Sequence, residues 1–454
     1  MLACSLLLAS APAARAQQVP SRAVVARVAD SLATDFLAAR GAPGLSIAII
    51  RAGDTLVFGG WGKADLENDV PATARTVYRI GSITKQFTSS AVMQLVERGA
   101  VKLDESIGTY LPTLPSTWRG VTVRQLLNHT SGIPSYTNIG DRWLRRWGEE
   151  MTPDTLVALT ANDTAWFKPG TSWNYDNSGY VVLGMLVEKV AGRSWGSDIV
   201  ERFAKPLGLD GTQNCLVPPI IPRRAHGYAD VERTWTNSAY LAMSQPFAAG
   251  ALCSTVGDLA RWNRALATGK VVSPASYASM TTPEGAALRN KYGFGLTRDT
   301  LGRYVMIAHG GGIPGFISSN AWFPEADLSV TVLANSGSAP SDRLMAQLAR
   351  LALGIPLVQP PARVAITAAD RARYVGVYAL KLGETLHDFT ILERDAELFA
   401  QLAGQGPFPL IPLGNHTFGA NVDPSLRIVF TMGNGAATQL TLTQRGRSSD
   451  GVRK

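Results

Sequence analysis

Cysteine and histidine are scarce in this chain, which has three cysteines and five histidines in 454 residues. The histidines are far apart and none lies near a cysteine cluster, so no metal site is predicted. Beyond the first residues, no apolar run reaches the roughly 20 residues that a membrane-spanning helix needs. The net charge of +8 is scattered rather than gathered into a nucleic-acid-binding stripe. We expect no membrane span and no nucleic-acid partner, and we note that the charge suits association with an anionic cell wall.

The N-terminal segment MLACSLLLASAPAARA is short and apolar and ends in small residues before Gln17. This is typical of a secretory signal peptide at residues 1–16, although the usual preceding basic residues are missing. We therefore expect a periplasmic or secreted protein, with a lipid anchor at Cys4 as the alternative. In such an oxidising setting Cys215 and Cys253 form either one disulfide or two separate buried thiols.

Hydrophobic periodicity divides the rest of the chain into two domains and a linker. Residues 20–355 begin with a helix and two strands, continue with mostly helical segments, and end with strands, among them YGFGL, and a helix. This predicts an α/β (α+β) fold with an antiparallel sheet flanked by helices and an all-helical lobe. Residues 356–366 are a proline-marked linker. Residues 367–450 carry short, evenly spaced strands and predict a small all-β barrel, lipocalin-like, or a sandwich.

A single Ser-x-x-Lys pattern occurs in the chain, at Ser82 and Lys85 within GSITKQF. Residues three apart share one face of a helix. A helix-capping serine with a solvated lysine is the ordinary explanation, but the helix that follows is apolar on nearly all sides, which indicates a buried lysine. A desolvated lysine can accept a serine proton directly or through a tyrosine. The pattern therefore indicates a serine nucleophile, whose own backbone N–H can face a developing oxyanion.

Two Tyr-x-Asn triplets could supply that tyrosine, Tyr136–Asn138 and Tyr175–Asn177. The second lies between a Pro-Gly turn and the start of a helix, so we favour it for the cleft and expect Tyr136 to pack locally. Farther along the chain, His309 opens HGGGIPGF, where consecutive glycines let a ligand approach the backbone closely.

A Gly-x-Ser-x-Gly match at residues 192–196 is a competing nucleophile motif. The nucleophile elbow of α/β-hydrolases needs a strand before the serine, whereas the preceding segment here has helical periodicity. We therefore expect Gly192 to end one helix and Ser194 to cap the next.

Six segments resemble, in order, the motifs of the serine β-lactamase and penicillin-binding-protein superfamily in its class C-like branch: YRIGSITKQFT, TVRQLLNHTSGIP, PGTSWNYDNSGYVVLG, GALCSTVGDLARW, YGFGL and HGGGIPGF. The resemblance covers about residues 25–350. It implies an active site between the sheet and the helical lobe, acyl-enzyme chemistry without a cofactor, and a C-terminal β-domain of the kind appended to such hydrolases. It also implies the site residues: nucleophile Ser82, lysine Lys85, tyrosine acid/base Tyr175, substrate contacts Asn177, His309, Gly310 and Gly311, and an oxyanion hole of the Ser82 and Gly312 N–H groups.

The third motif departs from the Lys-Thr-Gly usual in β-lactamases, because this chain has His309 and Gly310 there. Losing one charged hydrogen bond, worth about 1.5–3 kcal/mol, weakens capture of a substrate carboxylate. We therefore expect a serine hydrolase of small-molecule or peptide esters or amides, as an esterase or a D-amino-acid peptidase or carboxypeptidase-like enzyme. A β-lactamase is the alternative, and a non-catalytic penicillin- or wall-fragment-binding protein is the alternative of another class. Whether Lys85 or Tyr175 is the base stays open.

Overall fold

The computed structural model describes residues 19–359, 363–382, 385–403, 406–420, 426–444 and 447–454. The chain forms two compact units that divide between Leu357 and Val358, a boundary that falls inside the predicted linker 356–366. The predicted signal segment, with Cys4, lies outside the described residues. None of the helices in the described ranges combines the length and the hydropathy needed to cross a bilayer.

The first unit contains helices and strands in mixed order. Its helices are α1 (Arg22–Ala38), α2 (Thr84–Glu97), α3 (Ile107–Tyr110), α4 (Val123–Leu127), α5 (Asp141–Leu144), α6 (Pro153–Ala158), α7 (Asn177–Ala191), α8 (Trp195–Ile199), α9 (Lys205–Leu207), α10 (Phe247–Gly250), α11 (Val256–Ala267), α12 (Pro274–Thr281) and α13 (Ser341–Ala352). Its strands are β1 (Gly44–Arg51), β2 (Asp54–Asp65), β3 (Val70–Pro71), β4 (Tyr78–Arg79), β5 (Gln213–Asn214), β6 (Tyr228–Val231), β7 (Thr234–Asn237), β8 (Leu252–Ser254), β9 (Thr297–Leu301), β10 (Tyr304–Ile313), β11 (Phe316–Phe323) and β12 (Leu328–Ala334).

The main sheet of this unit is antiparallel, as predicted, and it is built from segments at both ends of the unit. Within the described residues it has seven strands in the order β3-β2-β1-β12-β11-β10-β9. β1 pairs with β12 so that Leu45 lies opposite Ala334. Because both central strands are apolar, one face of the sheet packs against α1 and α13 and the other against α11.

The helical lobe is built around α2 and α7, which pack against each other and against α10. Asp176 caps the start of α7 by accepting the N–H of Gly179, and Gly192 ends α7 in the left-handed conformation with φ +67°. Ser194 then caps α8 by accepting the N–H of Ser197. The residues of the Gly-x-Ser-x-Gly match are therefore helix caps, as expected, and not a nucleophile elbow.

The prediction that YGFGL is a strand is wrong. Residues 292–296 form a turn that precedes β9, joined to it by a single bridge between Tyr292 and Thr297. Gly295 has φ +69°, a left-handed conformation that interrupts a strand. This turn directs Tyr292 inward, toward His309.

The second unit is a β-barrel preceded by one helix, which confirms the barrel rather than the sandwich. Within its described residues the eight strands form a closed barrel in chain order, with the first strand pairing the last. A cluster of buried side chains, among them Tyr378, Phe389 and Phe430, fills the interior. Its elements are α14 (Ala368–Tyr374), β13 (Gly376–Leu382), β14 (Thr385–Arg394), β15 (Glu397–Leu402), β16 (Phe408–Gly414), β17 (Thr417–Ala420), β18 (Arg427–Met432), β19 (Ala437–Gln444) and β20 (Arg447–Arg453).

Candidate active site

Ser82 lies in a short 3₁₀ turn, Gly81–Ile83, that joins β4 to α2. Gly81 has φ +50°, so the backbone reverses just before the serine and leaves Ser82 partly exposed. One helical turn later, Lys85 is 0% exposed. Burial of Lys85 is what the apolar pattern of α2 predicted, and it excludes the explanation that this lysine is solvated.

The ammonium group of Lys85 has three hydrogen-bond acceptors around it. It donates to Asn177 Oδ1 at 2.8 Å, to the Ala249 carbonyl oxygen at 2.9 Å and to Ser82 Oγ at 3.2 Å. A carbonyl oxygen only accepts, so the first two contacts each require an N–H of Lys85. When Lys85 is neutral, its remaining position is a lone pair, and that lone pair faces the Ser82 hydroxyl.

The surroundings of Lys85 favour this neutral form. Burial lowers the pKa of Lys85 to about 7, and the nearby Asp176 carboxylate acts in the opposite direction. Burial also raises the pKa of Asp176 to about 7. A substantial fraction of Lys85 is therefore unprotonated near neutral pH, which ordinary solvated lysines are not.

Tyr175 lies against Lys85 as a neutral phenol. The Lys85 nitrogen is 4.7 Å from the centroid of the Tyr175 ring, over its face. Burial raises the pKa of Tyr175, while the neighbouring Ser82 hydroxyl acts in the opposite sense. The Tyr175 hydroxyl is buried and has no hydrogen-bond partner among the described residues. It is thus a proton donor close to Ser82 that the protein itself leaves uncommitted.

Asn177 connects Lys85 to the other Tyr-x-Asn triplet. Its Oδ1 accepts from Lys85, and its Nδ2 donates to Thr137 Oγ1 at 3.0 Å. Its backbone N–H donates to Ser135 Oγ at 3.1 Å. The triplet at Tyr136 therefore supports the site through Ser135 and Thr137. The Tyr136 hydroxyl donates to the Gln245 carbonyl oxygen at 2.7 Å, a contact across 109 positions and not the local one that we expected.

His309 is buried and both of its ring nitrogens are engaged. Nδ1 lies 2.5 Å from the carbonyl oxygen of Gly310, and Nε2 lies 2.9 Å from the hydroxyl of Tyr292. Burial, and then the charge of Lys85, lowers the pKa of His309 to about 4. The neutral ring therefore carries its hydrogen on Nδ1 and accepts from Tyr292 at Nε2. No ring nitrogen remains to meet a substrate carboxylate in this arrangement.

The glycines after His309 bring β10 against the turn that holds Ser82. A side chain at Gly311 would collide with the Ile80 carbonyl oxygen, and one at Gly81 would lie 3.0 Å from the Gly312 nitrogen. The pairing of β10 with β9 ends at Ala308, so Gly310 to Ile313 have no strand partner on that side within the described residues. The Ser82 turn and the Gly312 backbone thus share one cleft edge.

Residues 29–354 match the family model described as Beta-lactamase. The chain belongs to the beta-lactamase family. This match spans every predicted site residue and confirms the resemblance to the serine β-lactamase and penicillin-binding-protein superfamily.

Similar proteins include both penicillin-binding proteins and hydrolases of D-amino-acid compounds. Penicillin-binding protein 4* of Bacillus subtilis (strain 168) is 29% identical over 432 residues, covering 88% of this chain and 93% of that protein. D-aminopeptidase of Gluconobacter oxydans (strain 621H) is 27% identical over 330 residues, covering 69% of this chain and 59% of that protein. The D-stereospecific amidohydrolase from Streptomyces sp. is 30% identical with TM-score 0.61, covering 72% of this chain and 97% of that one.

Sequence reasoning missed two further residues of this beta-lactamase-family site. The His129 ring lies 4.4 Å from the Tyr175 ring and 4.7 Å from the Tyr292 ring, between centroids. His129 Nδ1 also accepts the N–H of Asp176 at 3.2 Å, so it fixes the loop that carries Tyr175. His129 lies in TVRQLLNHTSGIP and Tyr292 in YGFGL, two of the segments that resemble motifs of the superfamily. Their location in these segments was the signal that could have identified them from the sequence.

Outside the cleft, the structure joins Cys215 and Cys253 in a disulfide, with the Cα atoms 5.1 Å apart. Both cysteines are buried. Cys253 lies in β8 and Cys215 directly follows β5, the strand that pairs with β8. The sequence left open either one disulfide or two separate buried thiols, and the structure has the disulfide.

One group of potential metal ligands lies in the beta-lactamase-family unit although none was predicted. Ligand atoms of Asp65, Glu67 and His226 lie within 4.8 Å of one another. However, the Asp65 carboxylate already accepts the N–H groups of Glu67 and Asn68 and the Asn68 side-chain amide. Because these local hydrogen bonds already satisfy the Asp65 carboxylate within a turn, we assign no metal ion to this group.

Proposed function

We propose that this protein is a serine hydrolase in which Ser82 Oγ attacks the carbonyl carbon of an ester or amide and forms an acyl-enzyme. The observation that carries the proposal is the environment of Lys85, which is enclosed, held by two fixed acceptors and aimed at Ser82. As the new C–O bond forms, Lys85 accepts the hydroxyl proton. The backbone N–H groups of Ser82 and Gly312 then stabilise the oxyanion.

We assign the base to Lys85 and the acid to Tyr175. A general base works best with a pKa near the operating pH, which suits Lys85 with its pKa of about 7, whereas the pKa of Tyr175 is raised. The Tyr175 phenol donates its proton to the leaving oxygen or nitrogen and recovers one from protonated Lys85. Water then attacks the carbonyl carbon of the acyl-enzyme, and the proton transfers run in reverse. A proton passes from the water through Tyr175 to Lys85 and then to Ser82 Oγ, which leaves as the free hydroxyl.

The third motif supports a substrate without a carboxylate on its leaving group. His309 is neutral with both nitrogens engaged, and Gly310 has no hydroxyl. No cation at this motif is available to hold the carboxylate that β-lactams and carboxypeptidase substrates present. We therefore propose an esterase or a D-amino-acid amidase or peptidase, in line with the D-stereospecific amidohydrolase that the chain is similar to, rather than an efficient β-lactamase.

We further propose that the protein acts outside the cytoplasm, in the periplasm or after secretion. The signal-like segment and the Cys215–Cys253 disulfide support this location, since disulfides persist in oxidising compartments. Association with the cell wall is proposed from the net positive charge.

Covalent labelling tests the nucleophile. The wild type is expected to react with a fluorophosphonate probe and Ser82→Ala to lose all labelling. Ser279→Ala, at a partly exposed serine of α12, is expected to label normally. Labelling that persists in Ser82→Ala would refute the assignment.

A side-by-side assay tests the substrate class. We expect p-nitrophenyl acetate and D-alanine p-nitroanilide to be hydrolysed with higher kcat/KM than nitrocefin. Faster turnover of nitrocefin would favour the β-lactamase alternative, and no turnover above the Ser82→Ala background with any of the three would favour a binding protein.

A further inference from the structure

The strand that leads into Ser82 carries an arginine that neither the fold nor the proposed chemistry uses. Arg79 is the second residue of β4, three positions before Ser82, and is partly buried. Its guanidinium carbon lies 5.8 Å from the centroid of the Phe316 ring, over its face. Within residues 19–359, which are fully described, no carboxylate forms an ion pair with Arg79. A desolvated cation without a partner is costly, and such groups are rare.

Arg224 brings a second positive charge to the same place. Burial lowers the pKa of Arg79, and the charge of Arg224 lowers it further, while Tyr240 acts in the opposite sense. Arg224 donates to the Leu216 carbonyl oxygen at 3.4 Å and likewise pairs with no carboxylate in residues 19–359. Two guanidinium groups with no acid between them repel each other, and an anion bound there would relieve the repulsion.

This pair lies at one end of the cleft edge formed by β10. Phe316 faces Ile313 across the turn that joins β10 to β11. At the other end, the rings of Tyr175 and His309 lie 6.3 Å apart. In the proposed mechanism the leaving group receives its proton from Tyr175 and lies at that end. The acyl group therefore extends along β10 toward Phe316 and Arg79.

We propose that Arg79, with Arg224, forms a subsite for a carboxylate at the far end of the substrate's acyl group. This rests on the proposed acyl-transfer function of Ser82 and names its substrate class. A guanidinium presents parallel N–H donors that match a carboxylate, and the face of Phe316 holds the Arg79 plane in place. The same two charges repel a free α-ammonium. Within the proposed class of esters and amides, the preferred substrate is thus one whose acyl part is acidic, and an aminoacyl group with a free amine is a poorer substrate.

Two thioesters that differ only in this charge test the subsite. N-succinyl-D-alanine benzyl thioester ends in a carboxylate, and its N-succinamoyl counterpart ends in a neutral carboxamide of nearly the same size. We expect wild-type kcat/KM to be about ten- to a hundredfold higher for the carboxylate. D-alanine benzyl thioester, with a free amine, is expected to be poorer than the carboxamide.

Single substitutions test whether the preference for the carboxylate comes from Arg79. Arg79→Gln is expected to bring the carboxylate-to-carboxamide ratio close to one by slowing only the carboxylate substrate. Arg98→Gln removes the same charge from an exposed position at the end of α2, and it is expected to keep the wild-type ratio. If circular dichroism shows that Arg79→Gln is unfolded, Arg224→Gln serves instead and is expected to reduce the ratio in the same direction.

The outcomes separate this inference from the proposed function. Equal wild-type rates on the two thioesters, or an unchanged ratio in the folded variant, would overturn the subsite while fluorophosphonate labelling of Ser82 still supports the hydrolase. Absence of both labelling and turnover would overturn the proposed function and the subsite together.

Discussion

The close approach of Gly311 to the Ile80 carbonyl joins the two segments that supply the proposed oxyanion hole, and Gly311→Ala is expected to separate them. A Cβ at this position would lie 2.6 Å from Ser318 Oγ and 2.9 Å from the Ile80 carbonyl carbon. Ordinary contacts are about 3.5 Å or longer, and the overlap with the Ile80 carbonyl oxygen is more severe than either of these contacts, so the backbone must move by roughly 1 Å or more. Overpacking of this kind costs about 1–3 kcal/mol in the free energy of unfolding. A misplacement near 1 Å at the oxyanion donors of Ser82 and Gly312 costs roughly a hundredfold in rate.

The assay is kcat/KM on p-nitrophenyl acetate together with a thermal melt. Gly311→Ala is expected to lose about two orders of magnitude in kcat/KM and to melt several degrees lower. Gly310→Ala is the matched control in the same strand, because its Cβ would meet the Ser318 carbonyl oxygen at an ordinary 3.4 Å, and it is expected to melt like the wild type. Wild-type melting and activity in Gly311→Ala would show that the two segments are not held together as described.

Further predictions concern titration and the disulfide. Because neutral Lys85 is the proposed base, kcat/KM on a neutral ester should fall below a pH of about 7, the pKa of Lys85. Asp176→Asn keeps an oxygen to cap Gly179 but removes the charge that raises the pKa of Lys85, so the acidic limb of the pH profile should move to lower pH; a limb that stays or moves up would contradict this. Replacing Cys215 and Cys253 together by alanine opens a link across 38 positions and should lower the free energy of unfolding by about 4 kcal/mol in urea titrations. Identical urea midpoints for this variant and the wild type would indicate two unpaired thiols.

Local sequence patterns predicted much of the fold, because helix burial and helix capping depend on residues that are close together in the chain. The apolar character of α2 placed Lys85 in the interior, and the caps at Gly192 and Ser194 followed from their residue types. The even spacing of short strands predicted the C-terminal barrel. The same approach failed at YGFGL, because aromatic and apolar letters suit a strand while the left-handed Gly295 breaks it.

The geometry of the cleft depended on long-range packing that spacing along the chain does not encode. Ser82 and Lys85 are helical neighbours, so their proximity was readable from the letters. In contrast, Asn177 reaches Lys85 across 92 positions, and no local rule places it there. The Ala249 carbonyl that fixes the lysine, and the His129 and Tyr292 rings beside Tyr175, come together only because α2, α7 and β10 converge on one core.

The choice of base shows the same division. The sequence by itself determined which groups could carry the proton, a lysine entering a buried helix and a tyrosine at the mouth of another. The proposed choice between them rests on the tertiary structure alone, because a pKa depends on how completely a group is removed from water and on which charges surround it. Burial lowers the pKa of Lys85, so that this lysine can lose its proton. Burial raises the pKa of Tyr175, so that this phenol keeps its proton. The tertiary structure also shows that, within residues 19–359, Arg79 has no carboxylate partner, which neighbouring positions in the sequence could not show.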